Sequence, residues 1–296
     1  MSNEDGVGFI DGQYCERAAL SLPVSDLGFS LCDMAYDAVH VRNGKFFRLD
    51  DHLERFSRAI ERRRYTTLGY DREQIRAVLF ECVRRAGLRD AMVHVVATRG
   101  TPEGFTKDLR SCKNRLLAWS TPYYAVVADE FLENGVGVII SKTPRVPADS
   151  IDPTVKNFAR LDFASALLEA YDRDCTHAIL LDHDGNVTEG RGWNLFALFG
   201  GELISPASGV LEGITRRTVI ELCRDGNVKA QLGNIPGERL VEADEIFMAS
   251  TAGGLIPVNA VNGQTIGEGA AGPVTRRLRR RYWELHDDPR YSTSVY

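Results

Sequence analysis

The sequence has 296 residues, of which 44% are hydrophobic, 26% charged and 9% aromatic. That profile excludes wholesale disorder, collagen-like repeats and low-complexity scaffolds, and the length suits one large domain or two moderate ones. With 36 basic against 41 acidic residues the formal charge is −5, which argues against a general nucleic-acid binder needing a basic surface to displace counterions.

In chain order, the start MSNEDGVGF is acidic and has neither the basic beginning nor the apolar core of a secretory signal. Nowhere does an apolar run approach the ~20 residues that cross a bilayer, so a cytoplasmic protein without membrane contact is expected. Two strand-like runs, 36–41 and 45–49, are joined by Arg42-Asn43-Gly44, a hairpin signal. Asp50 and Asp51 offer N-cap chemistry for a helix to about Arg64, with Leu53, Phe56 and Ile60 at helical spacing. A second helix is expected over 71–86, then strands over 92–98 and 115–120. Between those strands, residues 99–114 read as a long polar loop, and such loops are usually functional or mobile.

Residues 121–135 read as a change-over, and 136–141 as a strand opening a second half. Residues 142–156 hold three prolines and no periodicity, an extended loop that ends in Lys156. A helix over 159–171 carries Leu161, Ala164, Leu167, Leu168 and Tyr171 as its apolar stripe. Then follow a strand at 177–181, a turn at 182–186, a hairpin of 194–199 with 202–205 across Gly200-Gly201, a helix at 213–223, a strand at 245–250 and a helix at 273–285. The expected division is 1–122 as an N-terminal α/β domain, 123–135 as a linker and 136–296 as a C-terminal domain. There is no internal repeat, and no GxGxxG follows either first strand, which weakens a dinucleotide-binding reading. The six cysteines, Cys15, Cys32, Cys82, Cys112, Cys175 and Cys223, are scattered. They read as small, mostly buried apolar residues rather than disulfides or zinc ligands, with a nucleophile as the minor alternative. No metal site is expected.

Four segments are unusual for pure packing. Ile151-Asp152-Pro153-Thr154-Val155-Lys156-Asn157 ends an extended loop in a lysine; surface charge is the plain alternative. Thr188-Glu189-Gly190-Arg191-Gly192-Trp193-Asn194 places an acid before two glycines, which either serve a turn or deliver Glu189 to a ligand. Leu211-Glu212-Gly213-Ile214-Thr215 begins a helix, where unpaired amides and the helix dipole favour an anion. Ala249-Ser250-Thr251-Ala252-Gly253-Gly254 ends an apolar strand in small residues that let a phosphate approach.

The order of these segments, with Phe46-Phe47-Arg48-Leu49-Asp50-Asp51-His52-Leu53-Glu54-Arg55, Asp244-Glu245-Ile246-Phe247-Met248 and Gly272-Pro273-Val274-Thr275, resembles the fold-type IV pyridoxal-phosphate aminotransferases. This is the branched-chain and D-amino-acid group, and within it the sequence is most similar to the (R)-selective amine transaminases. The resemblance runs from about Phe9 to the C-terminus. It implies a two-domain α/β (α+β) protein, with a smaller N-terminal domain and a larger C-terminal pseudo-barrel, acting as a homodimer.

By the same resemblance, Lys156 is the catalytic residue that forms the Schiff base with pyridoxal 5'-phosphate, which asks for an amine that is neutral near pH 7. Glu189 pairs with the pyridine nitrogen and keeps it protonated. Arg55, Ile214, Thr215 and Thr251 hold the phosphate, although Arg55 could instead pair with Asp51 on its own helix. Tyr36 matches a pocket tyrosine of the (R)-amine enzymes, and Thr251 and Ala252 are substrate-facing. Arg110, or Lys107, in the 99–114 loop is placed to meet a substrate carboxylate.

The run Asn157-Phe158-Ala159-Arg160-Leu161 departs from the (R)-amine pattern, where a tryptophan and a small residue are usual, toward lyases and D-amino-acid enzymes of the same fold. Arg160 is therefore expected to meet the cofactor or a carboxylate, with an ion pair to Asp162 or Glu189 as the alternative. The implied activity is transfer of an amino group from an (R)-amine or D-amino acid to a keto acid such as pyruvate, by a ping-pong cycle. A branched-chain L-amino-acid aminotransferase and an aminodeoxychorismate-lyase-like enzyme are the alternatives. A degenerate cofactor-binding protein is disfavoured by the intact Lys156 and Glu189.

Overall fold

The computed structural model describes residues 5–104 and 106–296; the first four residues of the N-terminal reading, and Phe105 within the 99–114 loop, lie outside the described residues. The chain forms two compact units. The first runs to Tyr124 and takes in Val155–Ala159 and His286–Tyr296; the second is Ala125–Thr154 with Arg160–Leu285. The continuous division expected from sequence omits both returns of the chain to the first unit.

The first unit contains β1 (Val7–Ile10), β2 (Gln13–Glu16), α1 (Leu27–Leu31), β3 (Met34–Arg42), β4 (Lys45–Phe47), α2 (Leu49–Arg62), α3 (Arg72–Ala86), β5 (Ala91–Pro102) and β6 (Cys112–Pro122). Its antiparallel sheet has the order Ser292–Ser294, β4, β3, β5, β6, β1, β2. One face of the sheet, with Ala35, Val39, Val93, Val95 and Ala118, shares a core with Leu53 and Phe56 of α2 and Ile75 and Leu79 of α3. The β3–β4 turn puts Asn43 at φ 52° and Gly44 at φ 75°, as a tight twisted hairpin requires. An Asp71/Gln74 capping box opens α3, and Gly87 closes it in the left-handed region.

Two local expectations are corrected here. Asp50 and Asp51 do not cap α2; Arg48 holds that position without a side-chain bond, and the acids occupy the first turn, where they complement the helix dipole. The 16-residue polar loop is shorter than expected, because β5 runs on to Pro102 and β6 begins at Cys112, pairing through a register shift between Thr98 and Thr101. Gly100 makes this possible: at φ +82°, a Cβ there would sit 1.7 Å from the Lys113 carbonyl oxygen.

The second unit contains α4 (Phe131–Asn134), β7 (Val136–Ile140), α5 (Leu161–Tyr171), β8 (Ala178–Leu181), β9 (Val187–Gly190), β10 (Trp193–Phe199), β11 (Glu202–Pro206), α6 (Ile214–Asp225), β12 (Lys229–Gly233), β13 (Glu245–Ser250), β14 (Gly254–Val261) and α7 (Pro273–Glu284). Strands β10, β13, β14, β7, β8 and β9 pair in sequence and β9 returns to β10, so six strands close a barrel, with β11 and β12 extending it. Val138, Ile179, Leu195, Ala197, Met248 and Ile256 belong to its core. This is the pseudo-barrel the resemblance implies.

The apolar stripe proposed for α5 points the wrong way. Leu161, Leu168 and Tyr171 are 81%, 64% and 52% exposed, while Phe163, Ala166 and Ala170 pack against Ile139, Ala178 and Leu180. Both faces of this helix are apolar, so periodicity does not choose between them; the small alanines let the helix approach the sheet closely. All six cysteines are free; Cys82, Cys112 and Cys223 are buried, whereas Cys32 is exposed. Among the described residues no helix is long and apolar enough to cross a membrane, and no cluster of metal-ligating side chains is found.

Candidate active site

In the first unit the site grows from an edge of β3. Strand β4 pairs only with Val41 and Arg42, so the polar groups at Met34–Tyr36 need another partner. The lysine segment supplies it. The Tyr36 amide donates to the Lys156 carbonyl (2.9 Å), the Phe158 amide donates to the Met34 carbonyl (3.3 Å), and Ala35 bridges Asn157. Asn157 braces the turn by donating to the Val155 carbonyl and accepting from the Ala159 amide. The Lys156 Nζ lies 4.6 Å from the centre of the Tyr36 ring, which also packs on Phe158. The amine is thus held against an aromatic face.

The side chain after Tyr36 takes the opposite face, since strands alternate. Asp37 is buried and accepts two bonds from Arg55, Nε and Nη2 at 2.8 Å each, and one contact with His52 Nδ1 at 2.7 Å. Burial opposes its ionisation, but Arg55 and His52 prevail and hold its carboxyl well below the usual range. Arg55 thus pairs with Asp37, and Asp51 lies 3.5 Å from Arg48 Nε.

Sequence reasoning missed both Asp37 and His94, which is opposite Ala38 on one side and Trp119 on the other. His94 stacks on Trp119 at 4.8 Å, its Nε2 is 3.4 Å from the Tyr124 hydroxyl, and its Nδ1 is buried without a hydrogen-bond partner. Burial, and then the charge of Lys156, push it down to about 4. An imidazole that stays neutral in the fold but protonates near 6.5 when unfolded destabilises the fold as pH falls between those values. The expected cost is about 3 kcal/mol by pH 4. Urea unfolding of the protein and of His94→Gln from pH 7.5 to 4 checks this: the variant should show a shallower loss.

In the second unit the site is built around Glu189, buried on β9. Its Oε2 accepts from the Leu211 amide (3.0 Å) and from Asn194 Nδ2 (3.2 Å), and its Oε1 lies 3.4 Å from Arg145 Nη2. All three groups are donors, the arrangement of an ionised carboxylate. The glycines here answer to close packing. A Cβ on Gly190 would lie 2.1 Å from the Trp193 ring, and one on Gly213 2.1 Å from Asn194 Oδ1.

Gly213 begins α6 without a side-chain cap, leaving its first amides to another acceptor. Ile214 and Thr215 are buried in that first turn. Thr251 and Ala252 sit in the turn after β13. Ser250 ties that turn to the Glu189 hairpin by accepting from the Ala252 amide and donating to the Gly192 carbonyl.

Arg160 is at the N-cap of α5 with its guanidinium 5.1 Å from the Phe163 ring, and Asp162 and Glu189 both receive Arg145. Arg110 is 90% exposed and pairs with Asp108 at 2.7 Å. Arg145 was missed because a buried arginine in an aperiodic loop carries no local signal; Asp162 was named only as a possible partner of Arg160.

A closed barrel bearing a fixed carboxylate, an uncapped helix start and a turn of small residues, on a chain whose other unit braces a lysine over an aromatic ring, defines a pyridoxal-phosphate-dependent enzyme of fold type IV. The class IV amino-transferase family model matches residues 34–261, and the chain belongs to this family: it is a pyridoxal-phosphate-dependent aminotransferase. It is 28% identical over 293 residues to the branched-chain-amino-acid aminotransferase of Pseudomonas aeruginosa, covering 96% of this chain and 94% of that one. It is 27% identical over 271 residues to the D-alanine aminotransferase of Bacillus licheniformis, covering 91% and 93%. Among solved structures it is similar to the branched-chain aminotransferase of the thermophilic archaeon Thermoproteus uzoniensis with norvaline, at TM-score 0.90 and 26% identity, covering 99% of this chain and 100% of that one.

Proposed function

We propose that the chain, as a cytoplasmic homodimer, moves an amino group from an (R)-amine or D-amino acid to a keto acid such as pyruvate. The observation that carries this reading is the bracing of Lys156 over Tyr36, because Tyr36 matches the pocket tyrosine of the (R)-amine enzymes. The relative named as a D-alanine aminotransferase supports it. The relative named as a branched-chain aminotransferase supports the second reading, an L-branched-chain enzyme.

The residues present fit pyridoxal phosphate. The α6 start has buried, uncapped positions at Ile214 and Thr215, suited to a phosphate. Thr251 and Arg55, the latter oriented by Asp37, complete that set, and Glu189 is the acid for the ring nitrogen. The cofactor supplies a carbonyl carbon that takes up the amino group and a ring that accepts electrons. With the cofactor bound, Lys156 would anchor it through Nζ and, once freed, would serve there as the base that takes the proton from the substrate's α carbon and then as the acid that returns it. Glu189 would hold the proton at the ring nitrogen. Donor and acceptor would use these same groups in turn, with water releasing the keto product, a ping-pong cycle.

The test is alanine formation from pyruvate with an (R)-amine, D-glutamate or L-leucine as donor. Alanine from the first two supports the proposal. Alanine from L-leucine alone selects the branched-chain reading, and pyruvate release from an aminated ring substrate without alanine selects the lyase. Arg160→Ala should lower activity on D-amino acids by about 10- to 150-fold, the value of a charged hydrogen bond to a carboxylate, and spare a neutral amine. Steady-state kinetics on matched donors check it.

A further inference from the structure

The acid proposed for the ring nitrogen does not stand alone. Arg145, in the loop after β7, is buried, its amide donates to the Leu181 carbonyl (2.8 Å), and its guanidinium stacks 4.4 Å from the centre of the Phe163 ring. The guanidinium spans two carboxylates unequally. Nη1 meets Asp162 Oδ2 at 2.5 Å, whereas Nη2 lies 3.4 Å from Glu189 Oε1.

Asp162 is itself fixed, accepting from the amides of Val146 (3.2 Å) and Phe163 (2.8 Å). A second buried cation, Arg216, acts on Glu189 through space, while its own donors go to Ser205 Oγ and the Pro206 carbonyl. The contact with Asp162 is the shorter of the two and within ordinary hydrogen-bond length, whereas that with Glu189 is long, so Arg145 is drawn toward Asp162.

We propose that Arg145 and Asp162 are a balanced pair of positioning residues that sets how strongly Glu189 holds the proton on the cofactor's ring nitrogen: the Asp162 charge keeps Arg145 from neutralising Glu189. This rests on the proposed role of Glu189. Removing the Asp162 charge frees Arg145 to pair fully with Glu189, and the ring proton is then held less tightly. Removing both charges together restores the balance, since a buried pair is often replaceable by neutral side chains while a broken one is not.

The experiment reconstitutes the enzyme with pyridoxal phosphate carrying ¹⁵N in the ring and follows that resonance against pH, alongside kcat and KM for a neutral amine. In Asp162→Asn the nitrogen should lose its proton about one pH unit lower, as expected for an altered neighbouring charge, and kcat should fall about tenfold with KM little changed. The Asp162→Asn/Arg145→Met double variant should return both toward the parent values, and it serves on its own if the single variant does not fold: a parent-like titration supports the proposal and a shifted one overturns it. A fall in thermal stability with an unmoved nitrogen titration would make the pair merely structural and overturn the proposal. Glu189→Gln separates the two levels. If it leaves the resonance unchanged, the reading of Glu189 fails; if it moves the resonance while Asp162→Asn does not, only the Arg145–Asp162 proposal fails.

Discussion

Lys156→Ala is expected to abolish turnover, by at least ~10³-fold, while leaving the fold and part of the cofactor affinity in place. The purified parent enzyme should be yellow, absorbing near ~400–420 nm, and borohydride should fix the cofactor on Lys156 and on no other lysine. The size of the effect follows from the double role proposed for the lysine: the covalent anchor and the group that would move the α proton disappear together. The fold survives because the segment is held through its backbone. The Lys156 carbonyl accepts from Tyr36, and Asn157 bonds its own turn; none of these groups is altered by truncating the side chain. Absorbance, mass mapping of the reduced protein and a melting curve check the three parts. A colourless protein after addition of pyridoxal phosphate, or labelling elsewhere, would overturn the assignment.

Asp37→Ala should destabilise the first unit by about 3–5 kcal/mol, because it leaves the guanidinium of Arg55 buried without its carboxylate. At about 2–4 °C per kcal/mol, that is a fall in Tm of roughly 10 °C. Arg55 and His52 are both about 4% exposed, so water does not take the place of the lost acid. Cofactor retention should weaken in parallel, since Arg55 loses the two bonds that orient its guanidinium. The pH dependence has its own sign. A carboxyl held below its unfolded value contributes stability at all pH above ~4 and loses it as acid titrates it in the fold. His94 acts at higher pH, between ~6.5 and ~4. Acid denaturation should therefore come in two windows, and Asp37→Ala should remove only the lower one. Calorimetry of the two single variants across pH 7.5–3 separates them.

What was legible in the sequence was local or motif-bound. Asn43-Gly44 announced its hairpin because only residues tolerant of φ > 0 turn a strand back so tightly. The order of the Lys156, Glu189, Gly213-Ile214-Thr215 and Ser250-Thr251 segments was enough to place the chain in its family. The α5 face was not legible. Leu161, Leu168 and Tyr171 make a better apolar stripe than Phe163, Ala166 and Ala170, yet the second set is the buried one. Which stripe packs depended on how closely the helix can approach β7 and β8.

By itself, then, the sequence determined the turns, most helices and strands and the family, and singled out Lys156 and Glu189 as candidates, because these depend on residues near one another in the chain or on a fixed order of motifs. Only the tertiary structure decided that Asp37 takes Arg55 and His52, that Arg145 reaches Asp162 and Glu189, and that the lysine segment completes the open edge of β3. Those partners lie between 15 and 124 residues apart. The burial that turns such pairs from solvated charges into interactions worth several kcal/mol is a property of the packed interior, where few waters compete and each unpaired polar group is costly.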